Sequence, residues 1–427
     1  MTAVATAPVA PTVSLNVSKR WAGPIALVIT GLISLVAFGL GTAAGVTTSF
    51  AFGTKTDFVT IPVLELPSKP TAIFLSLVAL AIAGYAAFCV QTFRKFPVWA
   101  TGLFAVAVLT ALLTWAGAGK EGTNVNVTGL LTSAVLLSVP LVFGGLAGLL
   151  CERSGVINIA IEGQLLAGAF AAAVVASAVG NAYVGLVAAP IAGALVGLVL
   201  SLFAVKYWVN QIVVGVVLNV LVAGVTNFMF GTLLRENENL NQAMRLPKLP
   251  IPGVSAIPVV GPTLFNQTLL VYLMYATVAV LAVMLFRSRW GLRMRAVGEH
   301  PTAADTVGIK VNRTRVRNTV LGGAVAGLGG AFFTVSSGLA FGKEMTSGAG
   351  FIALAALILG RWKPMGVLMA ALLFGFANSL KDQLGIIGST IPSQFLAMLP
   401  YLATILAVAG FVGHAKPPAA EGIPYKK

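Results

Sequence analysis

Long runs of apolar residues alternate with short polar segments along almost the whole chain. Many of these runs approach or exceed about 20 residues, the length of helix that crosses a bilayer. A transmembrane β-barrel is excluded, because barrel strands alternate apolar and polar positions. The pattern predicts an all-α, polytopic membrane protein with about 10–12 transmembrane helices, in the segments 24–46, 70–91, 98–117, 127–150, 155–179, 182–204, 212–234, 267–286, 317–340, 350–360, 364–380 and 394–413.

Two of these segments differ from ordinary membrane crossings. Segment 350–360 is too short to cross alone, and segment 155–179 contains Asn158, Glu162 and Gln164. Non-helical backbone at membrane depth is tolerated where it is buried in protein or lines a cavity. We therefore expect broken or re-entrant helices at both places.

Composition supports the membrane assignment and excludes several other classes. Apolar residues make up 58% of the 427 positions and charged residues only 9%, whereas soluble domains average about 25% charged residues. A soluble enzyme, a secreted disulfide scaffold and a disordered hub are therefore excluded. The net charge of +15 does not indicate nucleic-acid binding, because the basic residues mainly flank the apolar segments.

The distribution of basic residues predicts the orientation in the membrane. If the N-terminus is cytoplasmic and every segment crosses, 19 of the 27 Lys and Arg residues lie inside and 8 outside. This bias predicts cytoplasmic N- and C-termini. Residues 1–18 are then a flexible N-terminal tail and 414–427 a cytoplasmic C-terminal tail. Loop 287–317 is the largest internal loop, and the proline-rich loop 235–266 lies outside.

The internal loop contains a pattern that topology alone does not require. Pro301 suits the first turn of a helix, and small residues follow it as far as Gly308. The spacing predicts a short cytoplasmic helix over 301–307. Such a helix is suited to docking into a groove on a cytosolic partner.

Polar residues inside apolar segments are candidates for a substrate pathway. Glu162 is a carboxylate well inside such a segment, and an intramembrane ionisable group marks a functional site by default. Asn158, four residues earlier, is expected on the same helical face, and Gln211 and Asn219 are expected to share a face of a later helix. Two interpretations remain open: these groups line a polar pathway, or they cap and hydrogen-bond neighbouring helices.

Other candidate features carry less chemistry. The glycine pairs Gly144/Gly148, Gly193/Gly197 and Gly323/Gly327 favour close helix packing. Segment 117–121 lacks the Ser or Thr and the first glycine of a phosphate-binding loop. Aromatic residues in membrane helices serve packing more often than stacking on a base or sugar. The candidates for stacking are Phe228, Phe230, Phe332 and Phe333.

Four segments together resemble the bacterial ABC-importer permeases of the branched-chain amino acid, ribose and nucleoside group. They are the signature-like segment 152–163, the coupling-like segment 298–309, and the shorter matches 210–213 and 360–364. The resemblance covers about residues 127–413, so that 19–120 form an additional N-terminal transmembrane region. Within the group, the signature segment is most similar to nucleoside and simple-sugar permeases, although Gln164 stands where the pattern has a large apolar residue.

The resemblance implies a transport subunit, without a cofactor, in a bacterial plasma membrane. ATP and Mg²⁺ would be bound by a separate cytosolic ATPase, and substrate would come from an extracytoplasmic binding protein. A second, different permease would complete the pathway. The residues implied in coupling to the ATPase are Gly298, Glu299, Ala303, Ala304 and Gly308, and those in the substrate pathway are Asn158, Glu162, Gln211 and Asn219.

Two other classes of membrane protein are alternatives to the ABC permease. An ion-coupled secondary transporter would use Glu162 as its coupling residue and would need no ATPase. A membrane enzyme acting on lipid-linked substrates would need acids or histidines gathered at one interface. The chain has only two histidines, and the carboxylates of its predicted outer loops are scattered.

Overall fold

Helices dominate the computed structural model, which describes residues 17–54, 57–120, 122–389, 391–392, 394–396, 398, 401 and 416–426. The α-helices are α1 (Val17–Ile33), α2 (Ser68–Gln91), α3 (Val98–Gly117), α4 (Val127–Glu152), α5 (Ile161–Val179), α6 (Ala182–Ser201), α7 (Gln211–Met229), α8 (Leu269–Arg287), α9 (Arg289–Glu299), α10 (Pro301–Thr306), α11 (Val311–Gly330), α12 (Ala349–Leu359) and α13 (Pro364–Ile387). The strands are β1 (Thr47–Ala51), β2 (Leu64–Pro67), β3 (Val125–Asn126), β4 (Lys248–Pro250) and β5 (Asn266–Thr268).

The predicted all-α membrane architecture is confirmed. Within the described residues, ten helical segments are long and apolar enough to cross a membrane. Helix α12 has 11 residues and extends about 16 Å at 1.5 Å per residue, so it is too short to cross, as the sequence predicted. Most of the predicted span 394–413 and of the predicted tail 1–18 lies outside the described residues.

The first of two compact units contains residues 1–51, 63–125 and 386–390. Helices α1, α2 and α3 pack through small side chains such as Ala79, Ala83 and Ala107, with Phe104 among them. Strands β1 and β2 pair antiparallel, with Thr47 opposite Pro67. Thr48 fixes this pair to the helices, because its hydroxyl donates to the carbonyl of Thr114 at 2.8 Å.

The second unit contains residues 52–62, 126–385 and 391–427. Helix α4 is the most deeply buried of its candidate spans. Helices α6 and α11 pack closely through glycine: a Cβ on Gly193 would lie 2.2 Å from the carbonyl oxygen of Gly323. A Cβ on Gly144 of α4 would lie 2.7 Å from the side chain of Ala353 in α12. The glycine pairs therefore serve helix packing, as the sequence favoured.

The long loop after α7 also carries ordered short elements. Strands β4 and β5 pair antiparallel, with Lys248 opposite Thr268. The Tyr272 hydroxyl donates to the Leu249 carbonyl at 2.9 Å, which fixes this hairpin to α8. The proline-rich loop therefore contains regular structure that is bonded to α8.

Candidate translocation and coupling site

The backbone between α4 and α5 is irregular, so one predicted membrane segment begins later than expected. Residues 153–160 form turns and extended backbone, and helix α5 starts only at Ile161. Gly155 turns the chain with φ of +88°, a conformation that favours glycine. The expectation that Asn158 and Glu162 share one helical face is therefore wrong, because Asn158 precedes the helix.

Two side chains of α7 hold this irregular segment in place. The Asn219 side chain accepts from the Gly163 amide at 2.8 Å and donates to the Ile159 carbonyl at 2.9 Å. The Gln211 side chain accepts from the Ile157 amide at 2.7 Å. The predicted common face of Gln211 and Asn219 is confirmed. Both residues provide hydrogen-bond partners for backbone groups that a broken helix leaves unpaired.

Asn158 lies at the centre of the irregular segment and is fully buried. Its side-chain amide donates to the Gln164 side chain at 3.0 Å and contacts the Cys151 sulfur at 3.4 Å. Gln164 is thus the partner of Asn158, which explains a polar residue at a position where the related pattern is apolar.

Glu162 of α5 caps the N-terminus of the short helix α12. Its carboxylate accepts from the amides of Gly348 and Gly350 at 2.8 and 2.6 Å, and from the Thr346 hydroxyl at 2.6 Å. Negative charge at a helix N-terminus is favourable, because the first amides have no partner within the helix. These contacts support the capping interpretation of Glu162, and its role in the substrate pathway stays a prediction.

A cavity of about 300 Å³ lies beside the segment that Glu162 holds. Its wall combines the aromatic rings of Phe332 and Phe333 with the polar side chains of Thr346, Ser347 and Asn378. The two rings meet edge to face at 5.5 Å. None of the four predicted pathway residues lines this cavity, but Glu162 positions one of its walls through Thr346.

A second cavity of about 190 Å³ shares Phe332 with the first. Charged side chains line it, namely Arg245, Lys248 and Asp382. Sequence reasoning had considered the two phenylalanines and missed the polar wall. The signal for Asn378 was an amide inside an apolar segment, but Thr346 gave no signal, because it lies in a loop that only the fold brings here.

Arg153 joins the signature-like segment to two distant segments of the sequence. Its guanidinium donates to the Trp362 carbonyl at 2.9 and 3.1 Å and lies 3.9 Å from the Glu299 carboxylate. The carbonyl of Arg153 abuts Gly298 so closely that a Cβ there would lie 2.3 Å away. The three motifs at 152–163, 298–309 and 360–364 therefore meet at one place.

The predicted short helix in the internal loop is confirmed as α10, with Pro301 in its first turn. Ala304 is buried against Val297 and Val311, whereas Ala303 is exposed. Gly308 follows the helix with φ of +82°. The five predicted coupling residues thus divide into two packed positions, Gly298 and Ala304, and three accessible ones.

The C-terminal segment 416–426 contacts the region where these three motifs meet. The Ala420 amide donates to the Gly298 carbonyl at 2.9 Å, and the Gly422 amide donates to the Gly155 carbonyl at 3.3 Å. The guanidinium of Arg315, which is buried, donates to the Ile423 carbonyl at 2.7 Å. This segment therefore bridges the irregular segment after α4 and the end of α9.

One carboxyl group of this segment is unusually placed. Glu421 hydrogen-bonds to the carboxyl of Glu152, and burial raises the pKa of Glu421 to about 7. The Oε2 atom of Glu152 accepts from the indole of Trp362. Among the described residues, no three His, Cys, Asp or Glu side chains are grouped to hold a metal ion.

Comparison with known proteins gives consistent results. Residues 129–409 match the family model described as the permease component of the branched-chain amino acid transport system. The chain is 38% identical to the guanosine ABC transporter permease NupQ of Bacillus subtilis, over 71% of this chain and 98% of that protein. It is 36% identical to the nucleoside ABC transporter permease NupC of Lactococcus lactis, over 70% of this chain and 96% of that protein.

A further relative is the putative glucose ABC transporter permease TsgC13 of Haloferax volcanii, which is 32% identical over 59% of this chain and 77% of that protein. No solved structure matches the chain. The family match contains the signature-like segment, the coupling loop and the short helix α12. The chain therefore belongs to the branched-chain amino acid transport system permease family, and it is a multi-pass permease component of an ABC importer that is not itself an ATPase.

Proposed function

We propose that this permease imports nucleosides. The observation that carries the proposal is the identity of 38% and 36% to permeases named for guanosine and nucleosides, each covered over nearly its full length. The cavity beside α12 supports it, because Phe332 and Phe333 offer aromatic faces next to the polar groups of Thr346 and Asn378. A nucleoside has the matching pair of surfaces, a flat base and a hydroxylated sugar.

Simple sugars are the second candidate substrate class. The specific observation is the similarity to TsgC13 and to the glucose ABC transporter permease TsgB13 of Haloferax volcanii, at 32% and 30% identity. A sugar would depend mainly on hydrogen bonds to the polar wall of the cavity, because its C–H face offers the phenylalanine rings a smaller stacking surface than a base does. The two candidates therefore differ in how much they depend on Phe333.

The partner in the membrane is proposed to be a second, different permease. Two relatives named as guanosine permeases come from Bacillus subtilis, NupQ at 38% and NupP at 26% identity. Two named as nucleoside permeases come from Lactococcus lactis, NupC at 36% and NupB at 24%. In both organisms this chain is more similar to one of the pair. We infer that it takes the place of NupQ and NupC beside a partner similar to NupP and NupB.

The proposed coupling route starts at α10 and ends at the cavity. ATPase movement would push Ala303 and Glu299, and the packed Gly298 would transmit the displacement to Arg153. The irregular segment 153–160 leads directly into Glu162, whose carboxylate holds the loop that contributes Thr346. The residues Asn158, Gln211 and Asn219 are proposed to act in this pathway by keeping the irregular segment in one conformation.

Uptake in cells that contain the complete transporter tests the proposal. Radiolabelled guanosine, uridine and glucose are compared under ATP depletion and under an uncoupler with ATP maintained. We expect nucleoside uptake that requires ATP, survives the uncoupler and is abolished by Ala303→Trp but kept by the matched Ala303→Ser. Phe333→Ala should raise the KM for nucleosides. Uptake of glucose alone, unchanged by Phe333→Ala, would establish the sugar candidate instead.

A further inference from the structure

A large cavity, which has the predicted coupling residue Gly308 in its wall, is lined by positive charge. It has a volume of about 850 Å³ and lies between α9 and the first turns of α11. Five of its lining residues are cationic, namely Arg289, Arg293, Lys310, Arg313 and Arg317. No carboxylate is among the lining residues. Five like charges around one cavity repel one another and attract an anion from outside.

These cations have no carboxylate partner within the described part of the chain. The ion pairs there involve Arg153 with Glu299 and Lys381 with Asp382. Topology requires basic residues near the ends of membrane spans. It does not require them to converge on a common cavity, so the cavity is a candidate anion site although each of the five cations is exposed.

The buried residue Asn318 supplies a second, independent observation. It lines the same cavity and is fully buried. Its side-chain oxygen accepts from the Trp290 indole at 3.1 Å. Because an indole N–H can only donate, this bond fixes the orientation of the amide. The Asn318 Nδ2 group is then left with no hydrogen-bond partner, so a residue of the cavity wall carries a buried, unused donor beside the cations.

The cavity lies next to the ends of two candidate membrane spans, because α8 ends at Arg287 and α11 begins at Val311. Lipid head groups are found at the ends of membrane spans. Exposed apolar side chains lie on the three helices around the cavity, namely Phe286 on α8, Leu292 on α9 and Leu321 on α11. A charged cavity beside exposed apolar side chains matches a phosphate attached to acyl chains better than a free phosphate.

We propose that this cavity binds the phosphate group of an anionic phospholipid, with the five cations and the Asn318 amide as donors. The acyl chains would cover the exposed Leu292, Phe286 and Leu321. Such a lipid would hold α9 against α11, directly adjacent to the coupling helix α10. Two other ligands would compete for this cavity. A soluble phosphate has the same chemistry as the lipid head group, and an acidic surface of the ATPase would also be attracted to the cations.

Lipid retention by the purified transporter tests this site. The complex is reconstituted in phosphatidylcholine nanodiscs with or without phosphatidylglycerol or cardiolipin, and bound lipid is counted by native mass spectrometry. Arg313→Gln/Arg317→Gln is compared with Arg94→Gln/Lys95→Gln, which removes two exposed cations from a predicted cytoplasmic loop elsewhere. At roughly 5-fold per cation, we expect the first pair to weaken anionic-lipid binding by roughly 25-fold and the control pair to leave it unchanged.

A second variant separates the donor from the general positive charge. Asn318→Asp keeps an acceptor for Trp290 but replaces the unused donor with a negative charge, so anionic-lipid binding should fall while the fold is retained. Equal retention of phosphatidylcholine and anionic lipid would overturn the proposal. So would full competition by inorganic phosphate at matched ionic strength. Unchanged lipid binding combined with weaker ATPase binding in Arg313→Gln/Arg317→Gln would assign the cations to the ATPase instead.

Discussion

The polar residues around the break between α4 and α5 and those around the basic cavity differ in the partners that they have. In the first region, Glu162 and Asn219 make most of their hydrogen bonds to backbone groups. Asn158, Gln164 and Gln211 are also hydrogen-bonded there, and each keeps one buried atom unpaired. In the second, the cations lack carboxylate partners in the described structure, and the Asn318 amide has an unused donor. Polar residues in a membrane protein thus fall into two kinds, those that complete the fold and those that remain available to a partner.

This difference determines what a substitution should do. Removing a paired, buried polar group leaves its backbone partner unpaired, which costs stability. Removing an unpaired cation relieves repulsion and costs stability only if a ligand is bound there. The following substitutions test this distinction, beginning with the one for which we expect the largest effect.

Glu162→Gln should cost about 3 kcal/mol, because hydrogen bonds to a charged group contribute roughly 1.5–3 kcal/mol each. The carboxylate accepts three such bonds at the start of α12. An amide in its place would set its own N–H group against one of these N–H or O–H groups. The matched control is Glu344→Gln, an exposed carboxylate that accepts one bond from Asn227. Thermal unfolding in detergent measures both variants. Equal stability of the two would contradict the capping role.

Gly298→Ala should cost about 1–3 kcal/mol and also lower ATP-driven uptake. A Cβ would lie 2.3 Å from the Arg153 carbonyl oxygen, so α9 must move away from the irregular segment. Gly224→Ala is the control, because a Cβ there meets nothing within 4 Å. Uptake normalised to folded protein separates coupling from stability. If Gly298→Ala transports normally, the close approach of these two segments has no role in coupling.

Asn219→Leu and Asn227→Leu compare two amides of the same helix. Asn219 bonds two backbone groups of the irregular segment, and its loss should cost about 2 kcal/mol. Asn227 bonds the exposed Glu344, and its loss should cost less than about 0.5 kcal/mol. Denaturant or thermal unfolding gives both values. A larger loss for Asn227 would mean that bonds to backbone groups are a poor guide to the contribution of these amides, since both residues are half-buried.

The sequence predicted much of the fold, because apolar runs of bilayer length leave few alternatives to helices. It also predicted the short helices α10 and α12, through the Pro301–Gly308 pattern and the length of segment 350–360. It failed for Asn158 and Glu162, because helical spacing was assumed across residues that prove irregular. A break in a helix depends on partners such as Asn219, which lies 56 residues from Gly163 along the chain.

The candidate site was predicted less completely for the same reason. The motifs around Arg153, Gly298 and Trp362 were identified separately, but their meeting is a property of the fold. The unused donor of Asn318 and the polar wall at Thr346 are likewise invisible without it. Family resemblance supplied the function, and the contacts supply the physical roles.

The C-terminal segment offers the smallest and most specific test, because it contacts both the irregular segment and α9. Burial raises the pKa of Glu421 to about 7, above the usual value of about 4.3 in an unfolded chain. Because the docked carboxyl has the higher pKa, protonation favours docking of the segment. This contribution is complete below about pH 4.3 and is lost as the pH rises through about 7. The groups that face Glu421 are Glu152 and, through backbone bonds, Arg315.

We therefore expect the amides of Ala420 and Gly422 to be protected more strongly from hydrogen exchange at pH 6 than at pH 8. Their acceptors are the carbonyls of Gly298 and Gly155. The comparison uses protection factors, which remove the intrinsic pH dependence of exchange. Glu421→Gln leaves Glu152 as the one ionisable member of the carboxyl pair, so the pH dependence of protection should become weaker in this range. If the variant retains the same pH dependence as the natural chain, Glu421 is not the group that controls the docking.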